Sequence, residues 1–485
     1  MRLASALLLG CLFPLAACDL APPYQPPLIT APDNYREMAG TWQPAAPGML
    51  QTDHWWELFN DPVIDGLEQQ LDAQNPDLAA QLAVYQQARA AAEVAEAGLF
   101  PQLGSFAGVS GNRQSRTRPL RPHGGTATTP NWYGNQIIGG LATYELDIWD
   151  QVHNAVVSGR ALEVASAGTL AAVRLSLQSE LASDYFALRG LDSQARLLDT
   201  TVAAYKRALD LTQDRFRGKI SSDLDVSRAE TQLDSARTQV SDIAARREAL
   251  QDAIAALTGQ AAPNFALPPM PLSGRLPDIP AGLPSTLLER RPDIVASEQQ
   301  VKAANALIGV ARAAFYPTIT ISAAGGVNST GLNMLNLPDS FWSVGPSLLF
   351  PIFEGGLRHA EEEAAWARLH QSVATYRANV LGAFQEVQDV LSAIRWGRQE
   401  LADAITAAAA AQRTLDMATI LYTDGAYSYL EVVVAQTALL QEQQTVIDMQ
   451  TRLAQQAVAL VQAVGGGWTA KDLDTPLPDV IQAVQ

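Results

Sequence analysis

Cysteine is almost missing from this chain of 485 residues: there are two, Cys11 and Cys18. Both lie in the first eighteen residues, so no disulfide framework can brace the rest. Beyond the N-terminus no apolar run reaches the ~18 residues that a transmembrane helix needs. With 48% hydrophobic residues and a mean hydropathy of zero, a multi-span helical membrane protein is excluded. Positive charge is also scarce: 33 Lys and Arg face 50 Asp and Glu, a net charge of −17. A partner as anionic as nucleic acid is therefore not expected, because phosphate neutralisation needs a basic surface. The acidity suits cationic ligands or a self-repelling surface. The five His are scattered, with no H-E-x-x-H, and His359 precedes only an acidic run. Gly465-Gly466-Gly467 lacks the Lys-Ser/Thr of a phosphate loop and follows a helical pattern, so it reads as a helix terminator. No enzyme, metal or cofactor is expected, apart from a covalent lipid described next.

The N-terminus MRLASALLLGCLFPLAA has one Arg, a short apolar stretch and small residues, the pattern of a signal peptide over residues 1–17. Leu15-Ala16-Ala17-Cys18 resembles a bacterial lipobox, which predicts cleavage before Cys18 and lipid attachment to it. The mature chain would then carry 32 − 50 = −18 charges, Arg2 being lost. Asp19 follows the lipid site; in enteric bacteria that residue tends to hold lipoproteins in the inner membrane, which conflicts with the strands described below.

The chain repeats itself. Asn75-Pro76-Asp77-Leu78 leads through a helical pattern to Leu99-Phe100-Pro101, and Arg291-Pro292-Asp293-Ile294 leads to Phe315-Tyr316-Pro317. The offsets agree, 292 − 76 = 216 and 317 − 101 = 216. Later matches, Asp147-Ile148-Trp149-Asp150 with Pro351-Ile352-Phe353-Glu354 and Leu224-Asp225-Val226 with Leu430-Glu431-Val432, have shorter offsets, as loops of unequal length would give. This is a tandem duplication, its period far longer than a solenoid repeat. The organisation predicted is a signal peptide 1–17, an extended acylated segment 18–60, repeats at 61–285 and 286–468, and a tail 469–485.

Each repeat reads as a helix of about 22 residues, a strand, a loop, a strand and two long helices. Strands are expected at 102–112 and 136–148, and at 317–328 and 340–352. In 317–328, Ile319, Ile321, Ala323, Gly325 and Val327 alternate with Thr and Ser; Trp342, Val344, Pro346, Leu348 and Phe350 share a face of the last strand. Each has the length of a tilted transmembrane β-strand, about 10 residues. The long helices carry a seam spaced three and four apart, with Leu188, Leu191, Ala195, Leu198, Val202, Tyr205 and Leu209 in one and Val226, Ala229, Leu233, Ala236, Val240 and Ile243 in the next. That is coiled-coil packing. The helix over 152–217 would be about 100 Å long at the usual rise.

Four such strands cannot close a barrel, and open edges are not tolerated in lipid. The chain must oligomerise, and three copies would give twelve strands. The apolar face would then meet lipid and the Thr/Ser face would line a lumen. The chain resembles TolC-type outer membrane factors, and more closely their OprM/NodT lipoprotein branch. The resemblance rests on Cys18-Asp19-Leu20-Ala21-Pro22, Trp55-Trp56-Glu57-Leu58-Phe59, Asn75-Pro76-Asp77-Leu78, Phe315-Tyr316-Pro317, Leu430-Glu431-Val432 with Ala435-Gln436, and Gly465-Gly466-Gly467-Trp468. It implies a mainly α fold with a small transmembrane β part, a homotrimer with a 12-stranded barrel in the outer membrane, and a helical periplasmic tunnel. It also implies docking to a periplasmic adaptor and an inner-membrane pump of the RND type, with passive export of small molecules. The alternative is an exit duct for secreted polypeptides, a class that usually lacks the lipobox.

The resemblance further implies that the turns Arg217–Asp225 and Asp424–Glu431 form the periplasmic tip that closes the tunnel and meets the adaptor. Asp225 and Glu431 would then form acidic rings, with Asp223, Tyr427 and Tyr429 beside them at the gate. Ser222-x-x-Asp225 and Ser428-x-x-Glu431 are equally capping-box patterns, and ring and cap can coexist. Where the family often has a second acid, this chain has Val434. Gly218 and Gly425 are expected to be the left-handed helix ends, and with Lys219, Ser221 and Ser428 to touch the adaptor. Arg113, Arg116, Arg118 and Arg121 cluster in the loop expected between the first two strands, which reads first as a solvated extracellular loop and second as a site for lipopolysaccharide phosphates, which Arg suits.

Overall fold

The computed structural model describes residues 19–32, 35–36, 54–113, 132–273, 277, 279, 290–330 and 337–468. The signal peptide, Cys18, Arg116, Arg118, Arg121 and the tail lie outside the described residues. The elements are α1 (Pro62–Gln74), α2 (Pro76–Ala97), β1 (Gln102–Arg113), β2 (Trp132–Leu146), α3 (Gln151–Arg217), α4 (Asp223–Leu257), α5 (Pro292–Ala313), β3 (Thr318–Ser329), β4 (Ser340–Leu349), α6 (Leu357–Thr423) and α7 (Tyr429–Ala463). Proline opens α1, α2 and α5, where a missing N–H costs nothing.

The duplication is visible element by element. The 22-residue α2 recurs as α5, the 67-residue α3 as α6 and the 35-residue α4 as α7. The offset is 216 between α2 and α5 and 206 between α3 and α6. Most of the drop arises because 18 residues separate β1 from β2 and 10 separate β3 from β4. The repeats are also closed alike. Asn75 Nδ2 donates to the carbonyl of Leu257 at the end of α4 (2.8 Å), and Arg291 Nη1 donates to that of Ala463 at the end of α7 (3.1 Å). Both satisfy orphan carbonyls of a helix terminus. A Cβ on Gly259 would lie 2.4 Å from the Gln74 carbonyl, and one on Gly465 would lie 2.3 Å from that of Arg290, so only glycine allows either closure.

The chain forms two compact units that cut across the repeats. The first comprises residues 1–27, 86–165 and 298–375. It holds one antiparallel sheet in the order β1-β2-β3-β4. Strand β2 begins at Trp132, four residues before the expected start, because its first residues pair with β1 out to Arg113 and Trp132. Strand β4 ends at Leu349, short of the expected 352. Beneath the sheet, Trp149 stacks on Tyr316 (4.5 Å between rings) and its Nε1 donates to the Pro317 carbonyl (3.0 Å). Trp149 is thus packed into a corner beside the sheet, while Phe353 is exposed.

The second unit comprises residues 28–85, 166–297 and 376–485. Its main core joins Trp55, Trp56 and Phe59 to Leu181, Tyr185 and Leu188 of α3, Val387 and Leu391 of α6 and Val458 and Leu460 of α7. The heptad seam is buried at Leu188, Leu191, Leu198, Tyr205, Val226, Ala229, Leu233, Ala236 and Ile243. Among the described residues one helix, α3, holds a stretch long and apolar enough to cross a membrane by composition. Further along the helix its seam packs on neighbouring helices, Leu191 and Leu198 meeting Ile243 of α4 and Leu440 of α7. Arg247, a charge in the seam, donates to Asp192 (2.6 Å), which also pairs with the buried Arg189 (3.0 Å). A buried charge needs such partners.

Candidate functional site

The register of the sheet sorts its side chains onto two faces. On one face lie Leu103 and Ala107 of β1, Ile138, Ala142 and Tyr144 of β2, Ile319, Ile321, Ala323 and Val327 of β3, and Trp342, Val344 and Leu348 of β4. Trp342, Val344 and Leu348 are 81%, 67% and 65% exposed. A continuous exposed apolar face of this kind is costly in water and suited to lipid. The opposite face carries Ser110, Thr143, Thr318, Thr320, Ser322, Ser343 and Ser347 among several glycines. The outer edges of β1 and β4 pair with no further strand of this chain among the described residues.

The two helix turns belong to the second unit and superimpose in hydrogen-bond pattern at the offset of 206. In the first, Lys219 N donates to Phe216 O and Ile220 N to Arg215 O; in the second, Gly425 N donates to Tyr422 O and Ala426 N to Leu421 O. This frame corrects one expectation. The left-handed position falls on Lys219 (φ 62°) and Gly425 (φ 80°), not on Gly218. Gly218 still lies inside the closing hydrogen bonds, donating to Asp214 O (3.0 Å), so its backbone stays right-handed.

The capping boxes also diverge. Asp225 N donates to Ser222 Oγ (3.3 Å) and Ser222 N donates back to Asp225 Oδ2 (3.2 Å), completing the box. Arg228 sits 3.6 Å from the other oxygen of Asp225. At the second turn the Ser428 side chain makes no cap hydrogen bond, and only a backbone bond, Glu431 N to Ser428 O (3.3 Å), closes the turn. Glu431 is exposed and has no ion pair among the described residues. Asp223 and Ser222 are exposed as well, Ser221 is half-buried, and Lys219 and Ser428 are exposed.

The tyrosines separate in the same way. Tyr427 is 53% exposed, whereas Tyr429 is 2% exposed and packs against Tyr422 (5.3 Å between rings) with Ala229, Ala418, Val432 and Ala435. Burial pushes the Tyr429 hydroxyl up to about 12, with Tyr422 and Tyr205 adding to the rise and a hydrogen bond with Thr212 opposing it. Tyr429 is thus a core residue of the second unit, whereas Tyr427 is exposed.

Sequence reasoning missed Arg215. Its guanidinium lies 4.7 Å over the Tyr422 ring, and its Nη1 donates to the Thr423 carbonyl (3.1 Å). Arg215 thereby ties the end of α3 to the end of α6 by a cation–π contact and a charge-assisted hydrogen bond. Aligning the repeats gives the signal: Arg215 stands where the second repeat has Leu421, a charge in an otherwise apolar position.

Of the four clustered arginines only Arg113 is described. It ends β1 opposite Trp132, with its guanidinium 5.1 Å over that ring, so it is a strand residue and not part of a loop. The residues after Cys18 are fastened within the first unit: Asn154 donates to Asp19 (3.0 Å), Asn305 to the Pro22 carbonyl (2.8 Å) and Arg312 to the Leu20 carbonyl (3.2 Å). The side chain of Asp19 is therefore already engaged in the folded chain.

Comparison with known proteins gives the same picture. The family model for outer membrane efflux proteins matches residues 67–260 and 283–466. The chain is 31% identical to the pyoverdine export outer membrane protein OpmQ of Pseudomonas aeruginosa, over 96% of each chain. It is 32% identical to the cation efflux system protein CusC of Escherichia coli, over 94% of this chain and 96% of that one. The solved outer-membrane channel OprN is 26% identical, with a TM-score of 0.85 over 93% of this chain and all of that one. The chain belongs to the outer membrane efflux protein family, and it is an exit duct of an efflux system in the cell outer membrane.

Proposed function

We propose that three copies assemble into a duct whose twelve strands close a barrel in the outer membrane and whose helix turns form a gated periplasmic tip. The observation that carries this reading is the four-stranded sheet with two edges unpaired among the described residues and one exposed apolar face. Lipid forbids unpaired backbone, so each β1 edge must find a β4 edge of a neighbour, and eight strands is about the smallest bacterial barrel. Cys18 carries the lipid anchor. The duct is passive: an adaptor meets the exposed turns at Gly218, Lys219, Ser221, Gly425 and Ser428, and an inner-membrane pump of the RND type drives cargo.

At the tip, Glu431 is the ring-forming carboxylate and Asp225 a helix cap. The support is that Asp225 already has Ser222 and Arg228, whereas Glu431 has neither partner. Three-fold repetition of Glu431 would draw cations to a narrow passage. The relatives carry different cargo by name, pyoverdine for one and cations for another. A duct that leaves the main choice of cargo to its pump would account for that spread. The test is mass and mobility: outer-membrane extract should hold a species of three chains that survives mild detergent and collapses on boiling. A monomer at every temperature would refute the barrel.

A further inference from the structure

The face of the sheet opposite the apolar one carries a row that crosses all four strands: Phe106, Gly139, Gly326 and Phe341 are successive register partners. The two phenylalanines stand on the outer strands, three strand spacings or about 14 Å apart at the backbone. Their ring centroids are nevertheless 6.4 Å apart, with planes inclined at 31°. Both rings must therefore lean inward over β2 and β3. The glycines make this possible. A Cβ on Gly139 would lie 2.7 Å from Phe106 Cζ, and one on Gly326 would lie 2.2 Å from the Ile138 carbonyl oxygen. Elsewhere on this face Leu141 covers Gly104 and Ile137 covers Gly108. Large side chains are laid over glycines, and the wall stays low.

We infer that Phe106 and Phe341 form an aromatic station on the lumenal wall of the barrel, which takes the ring of an organic cation in transit. The inference rests on the barrel reading, which makes this face the lumen. Three copies repeat the ring pair three times around the bore. The Phe106 ring lies against Gly139, and both rings remain half-exposed on this face. The quadrupole of a phenyl face attracts a cation or an aromatic edge. The occupant is cationic because the one charged side chain that the register places on this face among the described strand residues is the carboxylate of Glu145, beside Thr320.

The test is saturation-transfer NMR on trimers in lipid nanodiscs, titrated with phenyltrimethylammonium and with butyltrimethylammonium, which has the charge without the ring. The variant is Phe106→Leu with Phe341→Leu, which keeps an apolar cover over the glycines. Wild type is expected to bind the phenyl probe about tenfold more tightly than the variant does, the loss expected for one or two ring contacts. Binding of the butyl probe should differ little between the two proteins. Equal affinity of the phenyl probe for both, or equal losses for both probes, would overturn the station and leave the rings as cover for glycine. Gel mobility before titration separates the two readings: absence of a heat-sensitive trimer in wild type refutes the barrel, whereas an intact trimer with ring-independent binding refutes the station alone.

Discussion

In the turn after Arg217, the carboxylate three residues past the serine folds back onto that serine; in the turn after Thr423 it does not. The backbone frame is the same in both. The difference lies in what each copy was left free to do. The first turn spends Asp225 on holding itself together and tolerates a lysine, Lys219, in the left-handed position. The second places glycine there, buries Tyr429 in the four-helix cluster and leaves Glu431 exposed. The duplication gives two equivalent turns; on the proposed reading the first is the support and the second holds the groups available to a gate.

The contrast can be broken first at the buried tyrosine. Replacing Tyr429 by Ala should cost about 3–5 kcal/mol, as emptying an aromatic site in a packed core does. Asp223→Ala, at the equivalent place in the first turn, should cost about 0.5 kcal/mol or less. Thermal unfolding of the two variants measures both, and equal losses would erase the distinction. Titration sharpens the same point. The folded pKa of Tyr429, about 12, lies above the ordinary value of 10.0. Its contribution is therefore intact below pH ~10 and lost as pH rises from there through about 12. Thermal stability should fall across that window, and Tyr429→Phe should lessen the fall.

Next in size is the left-handed position. Lys219→Gly should stabilise the first turn by about 1 kcal/mol, and Gly425→Ala should destabilise the second by about 1–2 kcal/mol. Opposite signs in denaturant midpoints are the expected outcome. Smallest is the cap: Ser222→Ala should cost about 1 kcal/mol, whereas Ser428→Ala should cost a few tenths. Equal costs would mean that Ser428 caps its helix in solution.

Much of this architecture was legible in the sequence because it is periodic. Ile319, Ile321 and Ala323 alternate cleanly, and the Leu188 to Leu209 seam keeps its spacing, so strand and coiled coil follow from side-chain burial alone. What escaped was set by contacts remote in sequence. Trp132 to Asn135 read as loop because Gly134 breaks the alternation, yet they pair with Ser110 to Arg113. Gly218 looked like the helix end, but the hydrogen-bond frame places the reversal one residue later. Identical S-x-x-acid spacings gave one formed box and one open one, because spacing permits a cap without requiring it. Arg215 had no local pattern; its partners Tyr422 and Thr423 lie more than 200 residues away.

The division of labour between the turns has one direct test, single-channel recording in a planar bilayer with Asp225→Ala and Glu431→Ala measured separately. The account predicts a cation-selective wild type, loss of that selectivity in Glu431→Ala, and selectivity retained in Asp225→Ala. Selectivity lost with Asp225 and retained without Glu431 would contradict it.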